Sequence, residues 1–297
     1  MKLQSLHCAI PCLFLAFTLT ATLGAAQDAA AALNQATLAK AKAGDAASEF
    51  LVAIEYQKGD IVPRDFGQAA AWYRKAAEQG YAPAQYKLAL LYQQKQSGIP
   101  QDDAQAAAWL RKAADQGNAQ AQAALGQCFS TARGVAQDDA QAVLWYQKAV
   151  AQNNPDAMVG LATLYDRGRG VAKDGKQAFA LLNQAAGLGS AEGEYELGID
   201  FENGQDTKKD KNQAMDWYRK AAEQGHTWAE FNLGQMLASK PAEAYFWLSQ
   251  AMNHLEGDPL IKATVLQGDA AAKMKPADKA QAEDRVNQWH PTPAKQP

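Results

Sequence analysis

The sequence predicts an all-α fold, a solenoid of about six stacked helix pairs closed by a C-terminal helical cap. Three observations predict it. The nine residues from Trp72 to Gly80, WYRKAAEQG, return unchanged from Trp217 to Gly225, with looser copies at Trp109–Gly117, Trp145–Asn153 and Leu181–Gly189. The closing positions of these copies lie 37, 36, 36 and 36 residues apart, a fixed period in the range of solenoid repeats. Ahead of each copy an aspartate precedes a glutamine by three residues, the spacing of a helix start: Asp65 and Gln68, Asp102 and Gln105, Asp138 and Gln141, Asp174 and Gln177, Asp210 and Gln213.

In chain order, residues 1–26 read as a secretory signal peptide: Lys2, an apolar run from about Leu6 to Leu19, then small residues ending at Ala26. The run falls short of the roughly 20 apolar residues of a membrane span, so stable membrane insertion after cleavage is not expected. Cys12 lies inside the apolar core, after Pro11, rather than at its end, where a lipid anchor would need it. The protein is therefore expected to be exported, to the periplasm or beyond the cell. Cleavage removes Cys8 and Cys12 and leaves Cys128, so no internal disulfide can form and packing must hold the fold. Cys128 reads as a small core residue rather than a reactive thiol. Apolar residues make up 47% and charged residues 21%, a folded rather than disordered composition. Net charge is −3 with no basic block, which argues against a nucleic-acid partner.

Residues 27–44 are alanine-rich and predict a helical N-terminal cap. The repeats then run 45–80, 81–117, 118–153, 154–189, 190–225 and a shortened 226–257. In the first helix of each, small or apolar residues recur at offsets 0, 4, 5 and 8, as in Ala84, Leu88, Ala89, Tyr92 and in Gly193, Leu197, Gly198, Phe201. This is one helical face, and a glycine at offset 5 predicts close approach of another helix. The aspartate that follows the loop is an N-cap, and the glutamine three residues on should reach back to the cap amide. The second helix buries a stripe such as Ala69, Trp72, Tyr73, Ala76, Ala77, with the tryptophan filling space between neighbouring hairpins. The closing glycine, or Asn153, suits a left-handed C′ residue. In the sixth repeat the loop shrinks to about Ser239–Lys240 and Pro241 opens the next helix. Residues 258–290 predict a capping hairpin and 291–297 a disordered tail.

The pattern A-x-x-x-L-G-x-x-Y, G-x-x-x-x-x-D, A-x-x-W-Y-x-K-A-A-x-x-G resembles the Sel-one-like repeat, a longer-looped relative of the tetratricopeptide repeat. It covers residues 45 to about 257 and is weak at Leu181 and in the sixth repeat. The resemblance implies a right-handed superhelix of antiparallel helix pairs whose first helices line a concave side. It also implies an adaptor without enzymatic activity or cofactor, acting on an envelope, regulatory or host protein. One branch of the family, reported to bind or hydrolyse β-lactams, carries a cysteine pair in each repeat, which this chain lacks; binding or hydrolysis of β-lactams or cell-wall peptides is the alternative.

Local motifs add little chemistry. Residues 170–176, GVAKDGK, fit the phosphate-loop spacing G-x-x-x-x-G-K, but Gln177 follows where Ser or Thr is needed, and no strand precedes. His226, His254 and His290 have no partners at metal-ligand spacing, and His226, in a turn, reads as solvated. The positions left free by the repeat code are offsets 2, 3 and 6 of the first helices. Phe50, Tyr86, Tyr195 and Phe231 at offset 2, with Ile54, Leu90 and Ile199 at offset 6, are the candidate groove for a peptide or helix of a protein partner. The competing expectation is that these side chains pack on one another.

Overall fold

A computed structural model describes residues 35–95 and 98–292, and every regular element among them is a helix. The expected signal peptide and residues 293–297 of the expected tail lie outside the described residues. The chain divides into two compact units, one up to Gln116 and one from Gly117 onward. The first holds α1 (35–42), α2 (Ala46–Lys58), α3 (Phe66–Glu78), α4 (Ala82–Gln93) and α5 (Asp103–Asp115). The second holds α6 (Ala119–Thr131), α7 (Asp139–Val150), α8 (Pro155–Arg167), α9 (Gly175–Gly187), α10 (Ala191–Asn203), α11 (Lys211–Glu223), α12 (Thr227–Met236), α13 (Pro241–Met252), α14 (Gly257–Ala272) and α15 (Pro276–Gln288). From α2 to α13 each even-numbered helix packs against the helix that follows it, so the repeat is a helix pair in each unit. Both α14 and α15 pack against α13.

Each helix starts and stops where its residues dictate. The side chains of Asp65, Asp102, Asp138, Asp174 and Asp210 accept from the backbone N–H of the glutamine three residues on, at 2.9–3.1 Å. The second half of the expected capping box forms differently. The cap's own N–H already donates to the carbonyl of the aromatic nine or ten residues earlier, as in Asp65 to Tyr56, Asp102 to Tyr92 and Asp210 to Phe201. With that amide taken, Gln105 and Gln213 turn their Nε2 onto the cap carboxylate instead. One bond therefore closes the inter-helix loop while the other starts the next helix. At the far end Gly80, Gly117, Asn153, Gly189 and Gly225 all adopt positive φ, from 58° to 90°. The residue after the turn then bonds back five positions, Tyr81 to Ala76 and His226 to Ala221, completing a Schellman motif. Ala132 ends α6 with φ 57°, where Gly59, Gly168 and Gly204 close the equivalent helices.

The core is made by the second residue of the Trp-Tyr pair. Tyr73 and Tyr218 are fully buried, and Leu110, Tyr146, Leu182 and Leu248 fill the same slot. Glycine at offset 5 is the other half of this contact. A Cβ on Gly198 would sit 2.5 Å from the Tyr218 ring, and one on Gly126 would sit 2.8 Å from the Tyr146 ring. Close approach is thus the reason for a residue that costs about 1 kcal/mol of helix propensity.

The tryptophan expectation is corrected. Trp145 and Trp247 are buried, but Trp72, Trp109 and Trp217 are only half-buried. In the repeats the lysine three positions on lies over the tryptophan ring, 3.6–4.0 Å from its centroid: Lys75, Lys112, Lys148 and Lys220. The W-x-x-K element is therefore a cation–π pair one helical turn long. Cys128 is buried, in keeping with a structural role.

Candidate functional site

The seven candidate groove residues fall on first helices, three pairs half-buried and one residue buried. In the first unit, Phe50 and Ile54 on α2 and Tyr86 and Leu90 on α4 are half-buried. The Phe50 ring lies between those of Tyr73 and Tyr81, with centroids at 5.6 and 5.4 Å. In the second unit, Tyr195 and Ile199 on α10 are half-buried, and Tyr195 repeats the arrangement of Phe50. Its ring lies 5.8 Å from that of Tyr218 and stacks on the His226 ring at 4.5 Å. An offset-2 aromatic is thus held between the buried tyrosine of its own pair and the first residue after the turn that closes it. Burial pushes the Tyr195 hydroxyl up to about 12, so it remains a neutral donor at physiological pH. Phe231 differs. It is 5% exposed, within a cluster formed with Leu248, Ala251, Leu255 and Ala263 from α13, the following turn and α14.

His226 is not the solvated residue its turn position predicts. Its side chain is largely covered: Nδ1 accepts from the Ala229 N–H as the N-cap of α12, and Nε2 lies 2.9 Å from a Glu192 carboxylate oxygen. Cap geometry places the proton on Nε2, and that hydrogen bond holds the Glu192 carboxyl below its ordinary value.

Sequence periodicity missed a buried polar ladder. At offset 1 of the first helix, a carboxylate or amide bonds a glutamine at the end of the second: Glu49 with Gln79, Gln85 with Gln116, Gln122 with Gln152, Glu194 with Gln224, all at 2.7–2.8 Å. The fourth pair substitutes Met158 and Leu188 at these positions, replacing both polar partners together. The sixth places Glu230 there with Leu260 at the same separation. Glu230 is 1% exposed with Oε2 unbonded, and burial raises its carboxyl to about 7. The signal was present in the sequence as correlated letters about 30 residues apart, outside the reach of any helical period.

A second polar slot lies at offset 9. Gln57 accepts from the Tyr73 hydroxyl and Glu202 from the Tyr218 hydroxyl, both at 2.7 Å. In the fourth pair Leu182 stands in place of the tyrosine, and one oxygen of Asp166 is left buried without a donor. Asp166 has neighbours of its own sign. Burial, followed by Asp206, raises its carboxyl to about 6; burial, followed by Asp166, Asp206 and Glu196, raises that of Asp200 to about 7.

The phosphate-loop resemblance of residues 170–176 has a steric cause. Gly170, at φ 67°, lies so close to the α7 start that a Cβ would be 2.4 Å from the Asp139 carbonyl. Arg169 grips the same point, pairing with both Asp139 carboxylate oxygens and the Ser130 carbonyl. Gly175 opens α9 beneath the Asp206 carboxylate, where a Cβ would overlap it at 1.6 Å. Both glycines answer to neighbouring backbone or carboxylate. No helix among the described residues is long and apolar enough to cross a membrane.

The family model for the Sel1 repeat matches residues 46–81, 82–118, 119–154, 155–190 and 191–226, together more than half of the chain. No curated protein matches. Among solved structures, the chain is similar to a Sel1 repeat protein from Oxalobacter formigenes, with 30% identity over 72% of this chain and 89% of that one and a TM-score of 0.65. It is also similar to c5321, a protective antigen of uropathogenic Escherichia coli, at 26% identity over 86% and 70% with a TM-score of 0.37. A third likeness is to the immunity protein Pa5087 of Pseudomonas aeruginosa, at 23% identity over 84% and 88% with a TM-score of 0.50.

Proposed function

The chain belongs to the Sel1 repeat family, and from that premise we propose that it is an exported, non-enzymatic scaffold that holds a peptide or helix of a protein partner. Sel1 repeat proteins are generally protein-interaction scaffolds. The observation that carries the reading is the state of the offset-2 aromatics. Phe50 and Tyr195 are half-buried rings that each contact two other rings, so they lose little further freedom on binding. Aromatic residues are common anchors of protein interfaces, where binding completes their desolvation. In the first unit Ile54 lies one turn from Phe50 on α2, and α4 carries half-buried Tyr86 and Leu90; in the second Ile199 lies one turn from Tyr195 on α10. Phe231 is buried in the core of the last pair, so it is not offered as a contact residue. Export rests on the cationic, apolar and small-residue order of residues 1–26.

The test is crosslinking in the native cell envelope followed by mass spectrometry, with wild type, Tyr86→Ala and Ile199→Ala. A reproducible protein partner is expected, with capture reduced about tenfold in each variant, the loss of one hot-spot contact. Melting should change little, since neither side chain is fully buried. Capture unchanged in both variants would remove these residues from the interface. Turnover of nitrocefin by the purified protein would replace the scaffold reading with the β-lactam one.

A further inference from the structure

The outer face of α14 departs from what the end of a solenoid requires, a polar surface turned to solvent. This helix packs against α13 with Ala263 and Ala270 buried and Leu260 and Leu266 partly buried. On the opposite face Ile261, Val265, Gly268 and Ala272 are all exposed and recur at intervals of four, three and four residues. Ile261 is 64% and Val265 58% exposed, the two most exposed large apolar side chains among the described residues. Gly268 stands in the same stripe, inside a 16-residue helix. A Cβ there would meet nothing within 4 Å, so no contact among the described residues accounts for so poor a helix former. The 4-3-4 spacing is that of the seam between two paired helices. Laid antiparallel on itself, the stripe sets large against small. Ile261 falls opposite Ala272 of a second copy and Val265 opposite Gly268, and each contact recurs across the twofold axis. The charges agree with this direction. Lys262 and Asp269, both exposed, lie seven residues apart on one flank of the stripe, so antiparallel pairing sets Lys262 of each copy against Asp269 of the other. A parallel pair would set them against Gly257 and Thr264 and form no ion pair. The Lys262 ammonium lies 5.4 Å from the centroid of the Phe231 ring, a loose contact that rotation about its side-chain bonds exchanges for a carboxylate.

We propose that α14 is a self-association face, through which two copies of this chain pair antiparallel about a twofold axis passing between Val265 and Gly268. The exposed apolar stripe is then covered by its own counterpart, and Gly268 is the gap that receives Val265 of the second copy. One helix pair buries less than the roughly 1,200 Å² of a stable interface, so the dimer is weak, with a dissociation constant on the order of 10 µM. The inference goes beyond the scaffold reading and does not involve Phe50, Tyr86 or Tyr195. Two joined copies hold two partner segments, and the second is captured at a raised effective concentration.

The test is sedimentation velocity of the full chain at low salt, from about 1 to about 200 µM, where wild type should pass from monomer to dimer. Val265→Asp puts two like charges into the seam beside the axis and should weaken association about a hundredfold or more. Its melting temperature should stay at the wild-type value, because the side chain is exposed. Should that variant fail to fold, Val265→Ala replaces it, with weakening of about tenfold expected. Lys262→Glu sets like charges together twice and should weaken association about tenfold; adding Asp269→Lys reverses both members and should restore it to within about twofold of wild type. Loss without that restoration would overturn the antiparallel pairing. A wild type still monomeric at about 200 µM would overturn the dimer and leave the scaffold reading, as would a dimer that survives Val265→Asp. A monomeric chain whose envelope partner is lost in Val265→Asp would give the face to that partner instead. A dimer that captures no envelope partner would sink the scaffold alone.

Discussion

Glu230 offers a direct measure of what the repeat loses at its last pair. In four pairs the offset-1 polar group meets a glutamine across the pair, whereas Glu230 on α12 is buried with an unbonded oxygen. Burial lifts its carboxyl from the ordinary 4.5 to about 7. The folded value lies above the unfolded one, so the native state holds the proton more tightly. Its stabilising contribution is complete below about pH 4.5 and is lost as pH rises through about 7. At about 1.4 kcal/mol per pH unit of separation, the loss reaches at most about 3 kcal/mol by pH 9. Glu230→Gln keeps the shape and removes the titration. The stability difference between variant and wild type should therefore rise from near zero at about pH 4.5 to about 3 kcal/mol at about pH 9, or roughly 6–12 °C in melting temperature. Asp166, Asp200, Glu49, Glu194 and Glu196 also have raised values, but they titrate in both proteins and cancel in the difference. Urea and thermal unfolding followed by circular dichroism across this pH range gives the readout. Glu230→Met, the residue of the fourth pair, also removes the unbonded oxygen and should be at least as stable as the glutamine variant at every pH. Parallel curves for wild type and Glu230→Gln would refute the account, because the carboxyl would then be solvated or paired.

Two further substitutions test the packing rules. Gly198→Ala gains about 1 kcal/mol of helix propensity but drives a methyl group to 2.5 Å from the Tyr218 ring, so a net loss of about 1–3 kcal/mol is expected in urea unfolding; a stabilised variant would show that the α10–α11 contact is looser than described. Ala132→Gly relieves a left-handed alanine at φ 57°, where three equivalent helices carry glycine, and should gain about 1 kcal/mol; no gain in melting temperature would mean the αL cost is already met by the α6 end.

Much of the candidate site was visible as positions and little of it as chemistry. Offsets 2 and 6 stand out because the repeat code leaves them variable, and six of the seven residues so chosen are half-buried. Phe231 escaped this logic because the sixth pair is followed by α14 rather than by another repeat, and α14 helps to cover it. The carboxylates around Asp166 escaped it too. Asp166, Glu196, Asp200 and Asp206 look like ordinary solvated carboxylates until Leu182 is placed opposite Asp166 and the loop brings Asp206 over Gly175.

The amino-acid sequence by itself determined the period, the helix boundaries and the tight face of each first helix. These depend on local rules: an aspartate cap acts over three residues, a C′ glycine over five, and a helical stripe over one or two turns. Tertiary structure alone decided which aromatic of WYRKAAEQG is core. Trp72 and Tyr73 carry similar hydrophobic weight, yet the direction of approach of the neighbouring helix buries the tyrosine and leaves the tryptophan half open beneath Lys75. The same holds for the Glu49–Gln79 bond, for His226 as a cap, and for the unpaired oxygens of Asp166 and Glu230. Each depends on where two helices touch, some 16 to 34 residues apart in sequence or at the start of a helix set by such a contact. Hydrogen bonds form or fail there within a few tenths of an ångström, a distance that packing sets and that no periodicity encodes.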